Sequence, residues 1–82
     1  MNFQDVLDKV CDGVSDNKTS QKLGVSRVMF SQYRTGRRLP SNEMLDKMVE
    51  LSGLNPVEVY LAAYAEKIDD PTVAEKFRQL VA

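Results

Sequence analysis

The chain has 82 residues, 43% of them hydrophobic and 28% charged, with a formal net charge of −1. That makes one domain with a modest core, too apolar for a disordered chain and small enough that self-association would add to its stability. Its longest apolar run, which contains LAAYA at 61–65, falls far short of the roughly 20 residues that span a bilayer, and no secretory signal opens the chain, so the expected compartment is the cytoplasm.

Every element reads as helix. No run of β-branched residues alternates over a strand length, and no Asn-Gly or Asp-Gly hairpin signal occurs. The first helix is expected from about Asn2 to Gly13, with Asn2 as N-cap and Phe3, Val6, Leu7, Val10 and Val14 as its apolar stripe. Cys11, the single cysteine, falls among these apolar positions and reads as a small core hydrophobe, with a reactive or intermolecular thiol as the alternative. Ser15 caps a short polar second helix, about Asp16 to Leu23, in which small Thr19 and Ser20 permit close approach of a neighbour. Gly24 stops it, and Ser26 caps a third helix, about Arg27 to Thr35, with Phe30 and Tyr33 on one face and Gly36 at its end. Arg37 to Pro40 is loop, because proline disfavours helix at the residue before it.

Ser41 opens the fourth helix, about Asn42 to Ser52, whose apolar side is Met44, Leu45, Met48, Val49 and Leu51. Asn55-Pro56-Val57-Glu58 is a start signal with an N-cap, a first-turn proline and a capping-box glutamate. The fifth helix is expected over about Pro56 to Ile68, carrying Val57, Tyr60, Leu61, Tyr64, Ala65 and Ile68. Asp70-Pro71 repeats the signal and opens a sixth helix with Val73, Phe77, Leu80 and Val81. The fold class is therefore all-α: a compact helix-turn-helix unit over 1–68 followed by an additional C-terminal helix over 69–82, a candidate dimerisation element.

Charge is unevenly spread. Between Ser15 and Pro40, Lys18, Lys22, Arg27, Arg34, Arg37 and Arg38 stand against one acid, Asp16, a formal +5. The whole chain is −1, so the other 56 residues sum to −6. An acidic protein has thus gathered its positive charge around one glycine-centred turn, LGVS, which is the electrostatic pattern of a nucleic-acid reader. Residues of the third helix that do not serve its core are free to touch DNA: Arg27, Val28, Ser31, Gln32 and Arg34, with Met29 ambiguous. Arginine can bond a guanine edge twice, glutamine can pair with adenine, and valine can touch a thymine methyl, each good bidentate pair giving about 1–3 kcal/mol of discrimination.

The LGVS turn at Leu23 to Ser26, apolar Phe30 and Tyr33, Gly36, the Arg37-Arg38 pair, Pro40-Ser41 and Leu54-Asn55-Pro56 together resemble the Cro/Xre-type helix-turn-helix family of phage repressors, with a lambda-repressor-like domain. The resemblance covers about Phe3 to Tyr64. It implies a five-helix domain acting as a dimer on a palindromic operator, with base reading by Arg27, Val28 and Gln32, with Ser31 adjacent, and backbone contacts from Ser26, Arg37 and Arg38; by their charge, Lys18 and Arg34 are further candidates for backbone contacts. Three places depart from the family. Thr19-Ser20 stand in the second helix where Leu-Ala is common, which weakens the apolar packing there. Asp16 stands where glutamine is frequent and would repel a phosphate, and Arg34 stands where glutamate is frequent.

The expected function is a sequence-specific transcriptional regulator, a phage or prophage repressor, binding double-stranded DNA as a homodimer. The alternative is an antitoxin or anti-regulator acting through protein contacts of the acidic helices. Tyr60, Tyr64, Phe77 and Leu80 are candidates for the dimer interface, Tyr60 and Tyr64 alternatively for core packing against the first helix. No enzyme is expected: the chain has no histidine, and it has no glycine-rich phosphate loop. No metal, cofactor, small-molecule ligand or membrane partner is expected.

Overall fold

Asn2, Ser15, Ser26, Ser41, Asn55 and Asp70 each turn a side-chain oxygen onto a backbone N–H at the start of a helix. Caps of this kind stabilise a helix by about 1 kcal/mol each. In the computed structural model, which describes residues 1–80, they open α1 (Phe3–Cys11), α2 (Asp16–Leu23), α3 (Arg27–Thr35), α4 (Asn42–Ser52), α5 (Pro56–Ala65) and α6 (Pro71–Gln79). No strand occurs among the described residues. The protein is all-α, with α2 and α3 as a helix-turn-helix and α6 as the added C-terminal helix.

Two helix ends and one cap differ from the sequence reading. α1 stops at Cys11 because Asp12 already adopts the left-handed conformation (φ 47°), a residue ahead of Gly13. Val14 therefore leaves the apolar stripe and lies half-buried in the turn. α5 stops at Ala65 rather than Ile68, because Glu66, Lys67 and Ile68 bond back three residues, to Ala63, Tyr64 and Ala65, tightening the last turn out of α geometry. The capping box forms at α1, where Asn2 and Asp5 exchange bonds of 2.9 and 3.1 Å, and not at α5, where the Asn55 amide oxygen caps alone on Val57 N–H.

α1 is the central helix. Its buried Phe3, Val6, Leu7, Val10 and Cys11 pack against α2, α4 and α5. Leu23 of α2, Phe30 and Tyr33 of α3, Leu45 and Met48 of α4, and Val59, Ala62 and Ala63 of α5 complete the core. Thr19 and Ser20, which weaken apolar packing in the sequence reading, are fully buried in α2. Their hydroxyls donate to Ser15 O (2.9 Å) and Asn17 O (2.6 Å), which offsets the cost of burying them.

The apolar face expected on α5 is corrected most. Val59, Ala62, Ala63 and Ala65 are buried, whereas Val57 is 63% exposed and Tyr64 lies at the surface. α5 is apolar nearly all round, so periodicity could not choose a face. Leu51, expected inward on α4, is exposed as well. Tyr60 is half-buried and packs at the edge of the core. Its hydroxyl donates to Asp46 (2.5 Å), and that of Tyr64 donates to Asn42 Oδ1 (2.6 Å). The two rings meet edge to face at 5.8 Å. α6 packs on α5, burying Ala74 and leaving Phe77 half-buried and Leu80 72% exposed. Val81, expected on the same face, lies outside the described residues.

Core burial separates two neighbouring side chains of α3. Phe30→Ala is expected to cost about 3–5 kcal/mol, a large share of the stability of so small a domain. Val28→Ala, 66% exposed in the parent, should change it by less than about 0.5 kcal/mol. Urea denaturation followed by circular dichroism checks both, and equal losses would contradict the inward–outward assignment of α3.

Candidate nucleic-acid interface

The turn between α2 and α3 spans only Gly24 to Ser26. Gly24 takes φ 76°, where a side chain is strained, and its N–H closes on Gln21 O at 3.1 Å. Val25 N–H reaches Ser20 O at 3.0 Å, and buried Leu23 together with half-buried Val25 ties the turn to the core. Phe30 and Tyr33 then anchor α3 from below, their rings edge to face at 6.3 Å. With those two inward, the helical period carries 27, 28, 31, 32 and 35 to the outer face.

Arg27, Val28, Ser31 and Gln32 do converge there. They line one open depression with Thr35, Arg37 and Asp16. Val28, which could have turned inward, stands 66% exposed, a cost in water that a partner's methyl group would recover. Thr35 was missed by the sequence reading, although its spacing of four from Ser31 and seven from Val28 puts it on the same stripe. Ser26 Oγ accepts from Met29 N–H at 3.0 Å, which leaves its hydroxyl proton available to an anionic oxygen. Lys18 is exposed on α2 and does not line the depression.

Arg34 is a correction. Expected on the DNA backbone, it turns instead toward α1 and α2. Its Nη1 meets Asp8 Oδ1 at 2.6 Å, while Nη2 and Nε meet the two Asp16 oxygens at 3.0 and 3.3 Å. The guanidinium also lies 5.7 Å from the Phe30 ring centre and 3.4 Å from Cys11 Sγ. Burial opposes its charge, but the bonds to Asp16 and Asp8 outweigh that and raise its pKa further. The Arg34 hydrogen bond likewise holds the Asp16 carboxyl below its ordinary value, against a smaller opposing effect of burial. Two of the departures, Asp16 and Arg34, are thus one ion pair. Asp16 lines the depression, yet Arg34 compensates its charge from behind.

The basic loop is organised around one helix-end carbonyl. Arg37 and Arg38 both donate their backbone N–H to Gln32 O, at 3.0 and 3.3 Å, as Gly36 turns the chain at φ 77°. Arg37 lines the depression. Arg38 does not, but its Nε donates to Gln32 Oε1 at 3.0 Å. Lys18, Arg27, Arg37 and Arg38 have no acidic partner among the described residues, whereas Arg34 and Arg78 do.

The fold and this face define an all-α helix-turn-helix protein with an exposed, cationic outer helix. Comparison with protein families, curated proteins and solved structures returns no match. No helix among the described residues is long and apolar enough to cross a membrane. No cluster of three or more His, Cys, Asp or Glu suited to a metal ion occurs among them.

The Asp16–Arg34 pair should show in pH dependence. A carboxylate with a lowered folded pKa stabilises the fold above its ordinary value of 3.8, and that contribution is lost as pH falls through the lower folded value. Thermal melts from pH 7 to pH 2 should therefore fall more steeply for the parent than for Asp16→Asn. At pH 7 that variant should be less stable by roughly 0.5–1 kcal/mol, the upper range for an exposed pair. Parallel melting curves would remove Asp16 from the pair's energetics.

Proposed function

We propose that this protein is a non-enzymatic, sequence-specific DNA-binding regulator that docks the outer face of α3 in a major groove. The observation that carries this reading is convergence. Four side chains suited to base edges share one depression, flanked by arginines without acidic partners, on an otherwise acidic molecule. Arg27 bonds a guanine edge, Gln32 pairs with adenine, Val28 meets a thymine methyl, and Ser31 lies between them. Ser26, Lys18, Arg37 and Arg38 hold phosphates and set the register. Arg34 has no direct part, because four of its five N–H donors are already engaged by Asp8, Asp16 and Cys11.

The protein acts as a homodimer on a palindromic operator, with two copies of α3 about 34 Å apart in successive grooves. Its short dimensions of 24 and 22 Å let two copies lie side by side at that spacing. Occupying a promoter in this way represses it, and the resemblance to phage repressors supports a phage or prophage setting in the cytoplasm. The second reading, a partner-binding antitoxin or anti-regulator, draws on exposed Val57 of α5, Val73 of α6 and Leu80, which caps the end of α6.

Selection of bound duplexes from a random pool should return a palindrome with fixed half-site spacing, and no enrichment would reject the reading. On the selected duplex, log affinity should fall linearly with log salt. Arg37→Ala should reduce that slope by about one phosphate contact, and Arg34→Ala, refolded and checked by circular dichroism, should leave it unchanged. Arg27→Ala should relax preference at one base pair, and uniform weakening across all sequences would make it a backbone contact instead. Sedimentation should give two chains per duplex, and a strict monomer on the operator would refute the dimer.

A further inference from the structure

Arg38 lies outside the reading depression, yet it touches the one reader whose chemistry depends on which way round it sits. A glutamine amide presents an acceptor, Oε1, and a donor group, Nε2, at opposite corners. Rotated half a turn, it exchanges them. Across the major groove an A·T pair presents the adenine N7 acceptor and N6 donor at one side, and a T·A pair presents them at the other. A freely rotating amide can therefore serve either pair, whereas an amide held one way round serves one of them. In this structure Arg38 Nε donates to Gln32 Oε1 at 3.0 Å. Rotating the amide would set its N–H groups against the guanidinium, replacing a charge-assisted bond with repulsion.

Both partners are held from the backbone side. Arg38 N–H donates to Gln32 O at 3.3 Å, and Arg37 N–H to the same oxygen at 3.0 Å, so the loop is closed onto the residue whose side chain it orients. Gln32 is half-buried, which limits the paths its side chain can take. The bond uses one of five guanidinium donors and one of two Oε1 lone pairs. Four N–H groups remain for a phosphate, and one lone pair remains for adenine N6. In water the contact is exposed and weak. In a groove stripped of water it strengthens, because the local dielectric constant falls.

We propose that Arg38 is a positioning residue for base reading: it fixes the Gln32 amide so that the protein distinguishes an A·T pair from the inverted T·A pair. This rests on α3 being the DNA-reading helix, and it assigns Arg38 a part in specificity beyond attraction to the backbone.

The probe is the duplex selected by the wild-type chain, with each base pair of a half-site inverted in turn. The pair read by Gln32 is the A·T position whose inversion no longer matters in Gln32→Ala. Wild type should prefer one orientation there by about 10-fold, within the range of one bidentate contact. Arg38→Ala should reduce that preference below about 3-fold and leave discrimination at the Arg27 position intact. In the Gln32→Ala background, adding Arg38→Ala should leave the orientation preference where Gln32→Ala alone put it. Without DNA, the Gln32 side-chain amide resonances should shift in Arg38→Ala while the thermal melt stays in place. If Arg38→Ala weakens both orientations equally, Arg38 is a phosphate contact only and the proposal falls. It also falls if no A·T position depends on Gln32 in a protein that selects a defined sequence. If the wild-type chain selects no sequence at all, the DNA-reading role itself fails, which is a separate result.

Discussion

Burial of Phe30 and Tyr33 beneath α3 is the constraint on which the outer surface depends. Both rings are inside the core, wedged edge to face, and three residues of turn separate α3 from α2. A helix nine residues long has only about two and a half turns, so two inward anchors fix its rotation about its own axis. Everything on the outer face follows from that rotation. Val28 is exposed because Phe30 is not, and Gln32 reaches the rim of the depression because Tyr33 beside it points into the core.

The Arg34 cluster adds a polar strap to this apolar anchor. It joins Asp8 of α1, Asp16 of α2 and Arg34 of α3 beside the ring of Phe30. Individual exposed pairs contribute little, but here one partly buried guanidinium serves two carboxylates and lies over the anchor itself. Its value is in where it puts charge. Arg34 is turned away from the proposed reading face, and Asp16, the only acid lining the depression, is neutralised there. Of the formal +5 gathered between Ser15 and Pro40, the part available to an anionic partner is thereby concentrated on α2, the start of α3 and the 36–40 loop.

Caps and stops were legible because they are local. A side-chain oxygen on the N–H two or three residues on, and a glycine in the left-handed region, need nothing beyond a few neighbours in the chain. All six helices begin where Asn, Ser or Asp precedes the helix, and α2, α3 and α4 also end at their glycines. Misreadings arose where local signals conflict or fade. Asp12 turned left-handed one residue ahead of Gly13, where the first helix was expected to end, α5 tightened at Ala65, and α5 lacked a polar side that would have marked its buried one.

The sequence by itself determined the helices, the helix-turn-helix spacing and the stripe of Arg27, Val28, Ser31 and Gln32, because caps, glycines and a 3.6-residue period are properties of neighbouring residues. Only the tertiary structure decided which charges are free. Asp8 and Asp16 are 26 and 18 residues from Arg34, and no pattern along the chain announces that they meet. It also decided that small alanines rather than tyrosines carry α5 into the core, since closeness of approach between helices is set by the packed whole. The bond from Arg38 to Gln32 belongs to the same class. Six residues apart across a glycine turn, the two are not helix-face neighbours, and only the folded loop brings guanidinium and amide together.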